Sequence, residues 1–554
     1  MQYLIILFAA LVGVVFITPY FIELLSKINV TDLPDGKRKL HQSPVPRLGG
    51  LLIFLTVIAW IFIFYGDLNS IKFFLFGVIA IFSIGAYDDL LGVSWYIKFI
   101  FQCIAAAMLL IHLMPAVSTL TLFGLQFSII PATIIIFLFI VGTINSFNLL
   151  DGLDGLVSGI TLLISGVLFF IALNQLDLFL LVLLSTLMGC LIGFLKYNAV
   201  PARIFLGDSG SFILGYFMVG AVLQVSLNNS AKNLDLTFPL ILLAVPIADT
   251  IKVFSERILS GRHPFIADRN HIHHIIFSKN ITHKTTVFII TMYSLLFAAN
   301  AIYYRYYNEI GGIIIFVILL IPLIFANKIL NFIINSDKLL IYGRTVNRLP
   351  QFIISFYKSV VLPVVAVVVL LLLIYPLAAG KSFSAGFLMP SLIILVLLLI
   401  FTLLNYKKNK LLTDVIVFFN ILIFFVINLS NNIIYEDITE LPLLGNLTYH
   451  LLVIAILLPT VGFFLLFRDR IQQKRESYLS GLDLVIILLV VMLSLTSQLI
   501  PISNSYIIPD TIFRSFLVYL FYKLFIRLQP KFRLSLYAIS FLIVLISQTL
   551  ILIF

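Results

Sequence analysis

Apolar runs of roughly 17–22 residues recur along the whole chain, each long enough to cross a hydrocarbon core of about 30 Å as a helix. Inside lipid every backbone N–H and C=O must be satisfied by the protein itself, and a helix does this within one segment. The runs therefore predict an all-α fold, a polytopic transmembrane helical bundle of about 18 spans. Composition agrees: 62% of the 554 residues are hydrophobic and 11% are charged, against about a quarter charged in soluble domains. The opening run, MQYLIILFAALVGVVFITPY, lacks a basic leader and a small-residue cleavage site, so it reads as a retained first helix.

The net charge of +11 does not point to nucleic acid, because the Lys and Arg residues lie in short loops between apolar runs. That placement sets orientation in a membrane. The loop after the first run, SKINVTDLPDGKRKLHQSPVPR, is basic. It is expected inside, with the N-terminus outside. Counting alternate loops then places those around Asp88, around Asp151, at 196–208 and at 256–284 on the inside. Later basic loops follow suit: the one with Arg344 and Arg348, YKKNK, RDRIQQKRE and RLQPKFR. Two regions emerge. Residues 1–330 hold every polar motif with chemical content, and residues 331–554 are additional transmembrane helices of unassigned role. Cys103 and Cys190 both lie in apolar runs and suggest neither a disulfide framework nor a zinc site.

Five constellations carry chemistry. Asp88 and Asp89, in IGAYDDLLGVSWYIK, close a span. Acids at such positions are costly and functional by default, and an adjacent pair can hold a hard cation or share a proton; a span cap is the plain alternative. NSFNLLDGLDGL supplies Asn145, Asn148, Asp151 and Asp154, whose spacing of three lines one face if the segment is helical. FLGDSGS puts Asp208 among small residues at the start of a span. Free N–H groups there suit phosphate, and an acid beside phosphate calls for Mg²⁺ between them; a simple N-cap is the alternative. RHPFIADRNHIHH contributes Arg269, His271, His273 and His274 as donors to phosphate oxygens. A transition-metal site or a merely basic loop are the competing readings. KRKLHQSPVPRLGG contributes His41 and Arg47 in a Pro/Gly frame, next to lysines that suit anionic lipid. Loop counting puts all five on the same face.

In this order, PRLGG, the DD pair, NxxNxxDGxDGL, YNxxPAxxFxGDxGS and HxHH resemble the polyprenyl-phosphate N-acetylhexosamine-1-phosphate transferases, over about residues 1–330. HIHH and PRLGG are closer to the bacterial undecaprenyl-phosphate GlcNAc-1-phosphate branch than to the phospho-N-acetylmuramoyl-pentapeptide branch. The resemblance implies transfer of a sugar-1-phosphate from a UDP-N-acetylhexosamine to polyprenyl phosphate, releasing UMP, at the cytoplasmic face of the bacterial plasma membrane. It implies Mg²⁺, with Mn²⁺ as the alternative ion, and a homodimer. Asp208 is then the metal ligand, with Asn148 and Asp151 as further candidates. Asp88 and Asp89 form the acidic pair, one of them a base toward the lipid phosphate. Asn148, Asp151 and Asp154 wall the cleft beside the diphosphate. Asn198 and Phe205 hold the uridine, Phe205 by stacking, and His271, His273 and His274 contact the diphosphate or sugar. His41, Arg47, Asn145 and Arg269 are expected among the substrate-binding residues. One-step and two-step routes both fit. Transfer of the muramoyl-pentapeptide type and a transporter without enzymatic turnover are the alternatives; a transporter is expected to place its acids near the bilayer midplane.

Overall fold

The computed structural model of the chain describes residues 2–32, 44–228, 230–261, 271–279, 281–335 and 357–361. Residues 2–335 belong to one compact unit and 357–361 to a second. His41, Arg269 and most of the region from 331 onward lie outside the described residues.

The expected all-helical membrane architecture is present. The first unit runs α1 (Gln2–Lys27), α2 (Gly49–Phe64), α3 (Lys72–Leu91), α4 (Trp95–Leu113), α5 (Ile129–Leu150), α6 (Leu156–Gln175), α7 (Leu178–Asn198) and α8 (Gly207–Val225). It continues with α9 (Thr237–Leu242), α10 (Ala244–Leu259), α11 (Ile272–Phe277), α12 (His283–Tyr306), α13 (Glu309–Ile324) and α14 (Ala326–Asn335). Among the described residues eight helices are long and apolar enough to cross a membrane, and α2 and α13 are shorter apolar helices. The remaining spans of the expected eighteen fall on residues outside the description.

Helices α6, α7 and α8 are almost wholly buried and form the centre. Around them, α2, α3, α4 and α5 expose Phe62, Ile63, Phe76, Leu91, Ile100, Ile134 and Leu138, the surface a bilayer solvates. Lipid tails are as apolar as leucine, so helices gather there by close packing of small residues rather than by the hydrophobic effect. That is how α8 is seated. A Cβ on Gly50 would run into the backbone of Gly210, and one on Gly85 would lie 2.5 Å from Ser209 Cα. Two glycines, one on α2 and one on α3, thus let both helices touch the backbone at the start of α8.

Short strands add to the helical expectation. β1 (Thr31–Asp32) pairs antiparallel with β2 (Val45–Pro46). β3 (Thr119–Leu122), β4 (Leu125–Ser128), β5 (Leu227–Asn228) and β6 (Asn233–Asp235) form a sheet in the order β4-β3-β6-β5, with β3 and β6 parallel. Each strand spans two to four residues, too few for a period-2 pattern to stand out from the loop around it. The sheet joins the α4–α5 and α8–α9 connections. The opposite ends of these helices carry the Asp88, Asp151 and Asp208 segments, so the loops alternate between two ends of the bundle as the counting of spans requires.

Helix α5 stops at Leu150, with Asp151 as its C-cap at φ −75°, ψ 49°. The expected single helical face through Asn145, Asn148, Asp151 and Asp154 is corrected accordingly. Asn145 and Asn148 share the last turns of α5, while Asp151 and Asp154 lie in the turn leading to α6. Gly152 and Gly155 open the chain there in place of helix.

Candidate active site

The acids meet at the start of α8. Asp88, in the last turn of α3, places Oδ2 2.6 Å from Lys98 Nζ, and Asp208 places Oδ2 2.7 Å from the same nitrogen. One ammonium therefore bridges two carboxylates more than a hundred residues apart in sequence. Asp88 Oδ1 also accepts from Val93 N–H at 2.6 Å, which ties its side chain to the α3–α4 turn. Asp89 does different work. Its carboxylate accepts from Asp208 N–H at 2.8 Å, Ser209 N–H at 3.1 Å and Ser209 Oγ at 2.5 Å. The two N–H groups are orphan donors of the first turn of α8, normally capped from within the chain segment. Here an acid from α3 caps the helix across the interface and sets where Asp208 stands.

Helix α5 forms the adjoining wall. Asn148 donates to Ser211 Oγ at 2.9 Å, and Ser211 Oγ donates to the Asp208 carbonyl at 3.3 Å. Burial, then the charges of Asp208, Asp89 and Asp154, hold the Asp151 carboxyl well above the usual carboxylate range. The carboxylate that shares the Lys98 ammonium with Asp208 is Asp88, and the Asn148 side chain also bonds the Asp208 carboxylate. Asp154 accepts from Ala202 N–H at 3.0 Å through Oδ2, while its own N–H donates to His283 Nε2 at 3.1 Å.

The loop between α7 and α8 is braced from inside. Asn198, 3% exposed, accepts from Ser158 Oγ at 3.1 Å and donates to the Ile204 carbonyl at 3.0 Å. The resemblance implied a part in holding the uridine; in the structure the amide braces the loop that carries Phe205. Phe205 N–H donates to the Pro46 carbonyl at 2.8 Å, and its carbonyl accepts from Gly49 N–H at 3.0 Å. Its ring is half-buried. Arg47, on the same β2–α2 connection, pairs with the buried Asp32 of β1.

The histidine segment closes the constellation. His271 and His273 are buried and their rings stack at 5.8 Å with 11° between planes; His273 and His274 lie 4.2 Å apart, centroid to centroid. His273 abuts Gly152 so closely that a Cβ there would meet its imidazole. Burial first, then the neighbouring imidazoles His274, His271 and His283, hold the His273 ring well below the usual histidine range. Gly152, next to Asp151 in the chain, thus brings His273 against the turn that follows α5.

Sequence reasoning sought clusters and so passed over single charges. Lys98 lies three residues into the run WYIKFIFQ, and Asp249 sits inside AVPIADTIKVF. Each is a lone ion within an apolar helix, the signal that should have marked it. Asp32 and His283 carried no such signal.

The donor set suits a hard divalent cation. Among the described residues no group of three or more His, Cys, Asp or Glu side chains is placed to hold a metal ion; a site of one or two carboxylates would need substrate phosphates to complete it. Two carboxylates already converge on one positive charge, that of Lys98.

Fold and site together define an integral-membrane protein with acids and imidazoles from separate helices gathered at one end of the bundle. Residues 71–226 match the model of glycosyl transferase family 4. A Bacillus subtilis relative named "Probable undecaprenyl-phosphate N-acetylglucosaminyl 1-phosphate transferase" is 33% identical over 300 residues, 53% of this chain and 82% of its own. An "Undecaprenyl-phosphate alpha-N-acetylglucosaminyl 1-phosphate transferase" of Thermotoga maritima is 32% identical over 315 residues, covering 57% and 94%. One of the same name from Escherichia coli K12 is 25% identical over 304 residues, covering 53% and 82%. The chain belongs to this family, the polyprenyl-phosphate N-acetylhexosamine-1-phosphate transferases.

Proposed function

We propose that this protein transfers N-acetylglucosamine 1-phosphate from UDP-GlcNAc to undecaprenyl phosphate, the first membrane step in building a cell-surface polysaccharide. The observation that carries the reading is the convergence of Asp88 and Asp208 on one cation position at the end of a lipid-solvated bundle. A phosphate oxygen of the carrier forms a new bond to the sugar-bearing phosphorus. The bond from that phosphorus to the bridging oxygen breaks, and UMP leaves. Such transfers need positioning and charge neutralisation more than covalent help. Mg²⁺, held by Asp208 and Asp88, would neutralise the diphosphate and the departing UMP.

The chain's own groups do the rest. Asp89 fixes the start of α8 and with it Asp208. Lys98 keeps two like charges side by side. Asn148, the 151–155 turn and the HIHH segment packed on it wall one flank, and Phe205 presents a ring beside the β2–α2 connection for the base. The basic loops at this end favour the cytoplasmic side of a plasma membrane, where UDP-sugars are found.

The test is UMP release by the purified full chain given undecaprenyl phosphate, Mg²⁺ and a panel of UDP-sugars. UDP-GlcNAc is expected to be used best. Asp208→Asn is expected to lower the rate about 1,000-fold, the scale of losing one preorganised charge contact at a reacting group. Lys98→Met should leave two carboxylates unneutralised, so that added Mg²⁺ raises its melting temperature more than it raises the wild type's. Full activity of Asp208→Asn would end the metal proposal. In sealed vesicles, UDP-sugar should react only when supplied to the cytoplasmic face.

A further inference from the structure

Helix α10 carries an acid that the proposed chemistry has not used. Asp249 is 1% exposed and sits in an apolar helix. An ionised carboxylate so buried is strongly unfavourable unless both oxygens find donors. Both do, and on one short segment: Oδ2 lies 2.8 Å from His271 Nδ1, and Oδ1 accepts from Ile272 N–H at 2.7 Å. With Nδ1 engaged by the carboxylate, Nε2 is left as the ring's remaining polar edge. The second bond holds the backbone next to that ring, which removes rotation about the segment. His271 stacks on His273, and His273 rests against Gly152 in the turn that follows α5.

We propose that Asp249 is the positioning residue of the histidine segment: through His271 it sets the orientation of the imidazoles that face the diphosphate. The assignment rests on the transferase reading above. Carboxylates play this part behind catalytic and metal-bound histidines generally, where they fix the tautomer and aim the ring. The competing role is a plain cap for the first turn of α11, which needs only the bond to Ile272.

The two roles separate in a double-mutant cycle on the full-length protein, assayed for UMP release with UDP-GlcNAc, undecaprenyl phosphate and Mg²⁺. Asp249→Asn, His271→Gln and the double variant are compared, with melting temperature as a check on folding. Asp249→Asn is expected to lower kcat about 100-fold, the effect of misplacing a catalytic group by about 1 Å, and to change KM for UDP-GlcNAc less than threefold. The double variant is expected to be no slower than His271→Gln alone, because Asp249 has nothing left to position. Multiplicative losses would overturn the proposal and leave the capping role. So would a loss that appears in melting temperature but not in kcat. If Asp249→Asn does not fold, the cycle is run with Asp249→Glu, which keeps the charge and displaces it by one methylene. The same reading applies: no further loss on the His271→Gln background supports positioning, and multiplicative loss overturns it. A wild-type protein that releases no UMP from any UDP-sugar would refute the transferase reading itself, a result visible before any variant is made.

Discussion

Individual side chains at the site divide into those that hold charge and those that hold position. Asp88 and Asp208 share an ammonium, while Asp89, chemically identical and adjacent to Asp88, spends its oxygens on the first turn of α8. Sequence spacing treats the pair as equivalent; only the packing of α3 against α8 tells them apart. Asp151 and His273 give the ion-free protein a defined pH response. A carboxyl held high in the folded state binds its proton more tightly there than in the unfolded chain. Its contribution is present at acid pH and is lost as pH rises through the folded value. His273 is held low, so its contribution is present above about pH 6.5 and is lost as pH falls toward the folded value. Asp151→Asn should therefore gain melting temperature over the wild type as pH rises from about 5 to 8, and His273→Gln should lose less than the wild type as pH falls over that range. Thermal scans in detergent with EDTA check both signs. Curves parallel to wild type would show that neither group titrates abnormally.

At the scale of elements, the start of α8 depends on two small residues in its neighbours. Gly50→Ala would drive a methyl into the backbone of Gly210, with no flexible side chain to yield. Overpacking of this kind costs about 1–3 kcal/mol. The variant is expected to melt lower and to lose UMP release, because Asp208 moves with the helix. Gly66→Ala, with nothing within 4 Å, is the control and should match wild type in both measurements. Most elements were legible beforehand. Long apolar runs marked the spans, and the charged ends of those runs marked Asp88, Asp151 and Asp208. Illegible from spacing were the end of α5 at Leu150, the inward-turned amide of Asn198 and the strands. The Asn198 amide is fixed in part by Ser158, 40 residues away, and β3 pairs with β6 more than a hundred residues on, contacts that local spacing does not reveal. Lys98 and Asp249 were legible in principle, since each is a solitary charge in an apolar helix, but Asp208 lies 110 residues from Lys98 and His271 lies 22 from Asp249.

For the molecule as a whole, the site described above lies entirely before residue 284, and the relatives from Bacillus subtilis and Thermotoga maritima match over 300 and 315 residues. A chain ending at Asn335 is therefore expected to insert and to keep UMP release within about threefold of full length, less than 1 kcal/mol of activation free energy; an inactive but folded truncation would assign the later region a part in transfer. The acids gather at one end rather than midway through the membrane, and the middle is filled by Phe74, Phe147, Tyr216 and Phe217, all 0–1% exposed. That arrangement disfavours the transporter alternative. At the far end the β4-β3-β6-β5 sheet laces two connections together, Gln224 donates to Asp177 at 2.7 Å, and Arg305 donates to the Val225 carbonyl at 3.0 Å. These bonds tie together the end of the bundle that lies away from the Asp88, Asp151 and Asp208 segments. On the proposed cytoplasmic orientation the glycolipid would form in the inner leaflet, and delivering its sugar to the cell exterior would require a different machine, one that turns lipid head groups over.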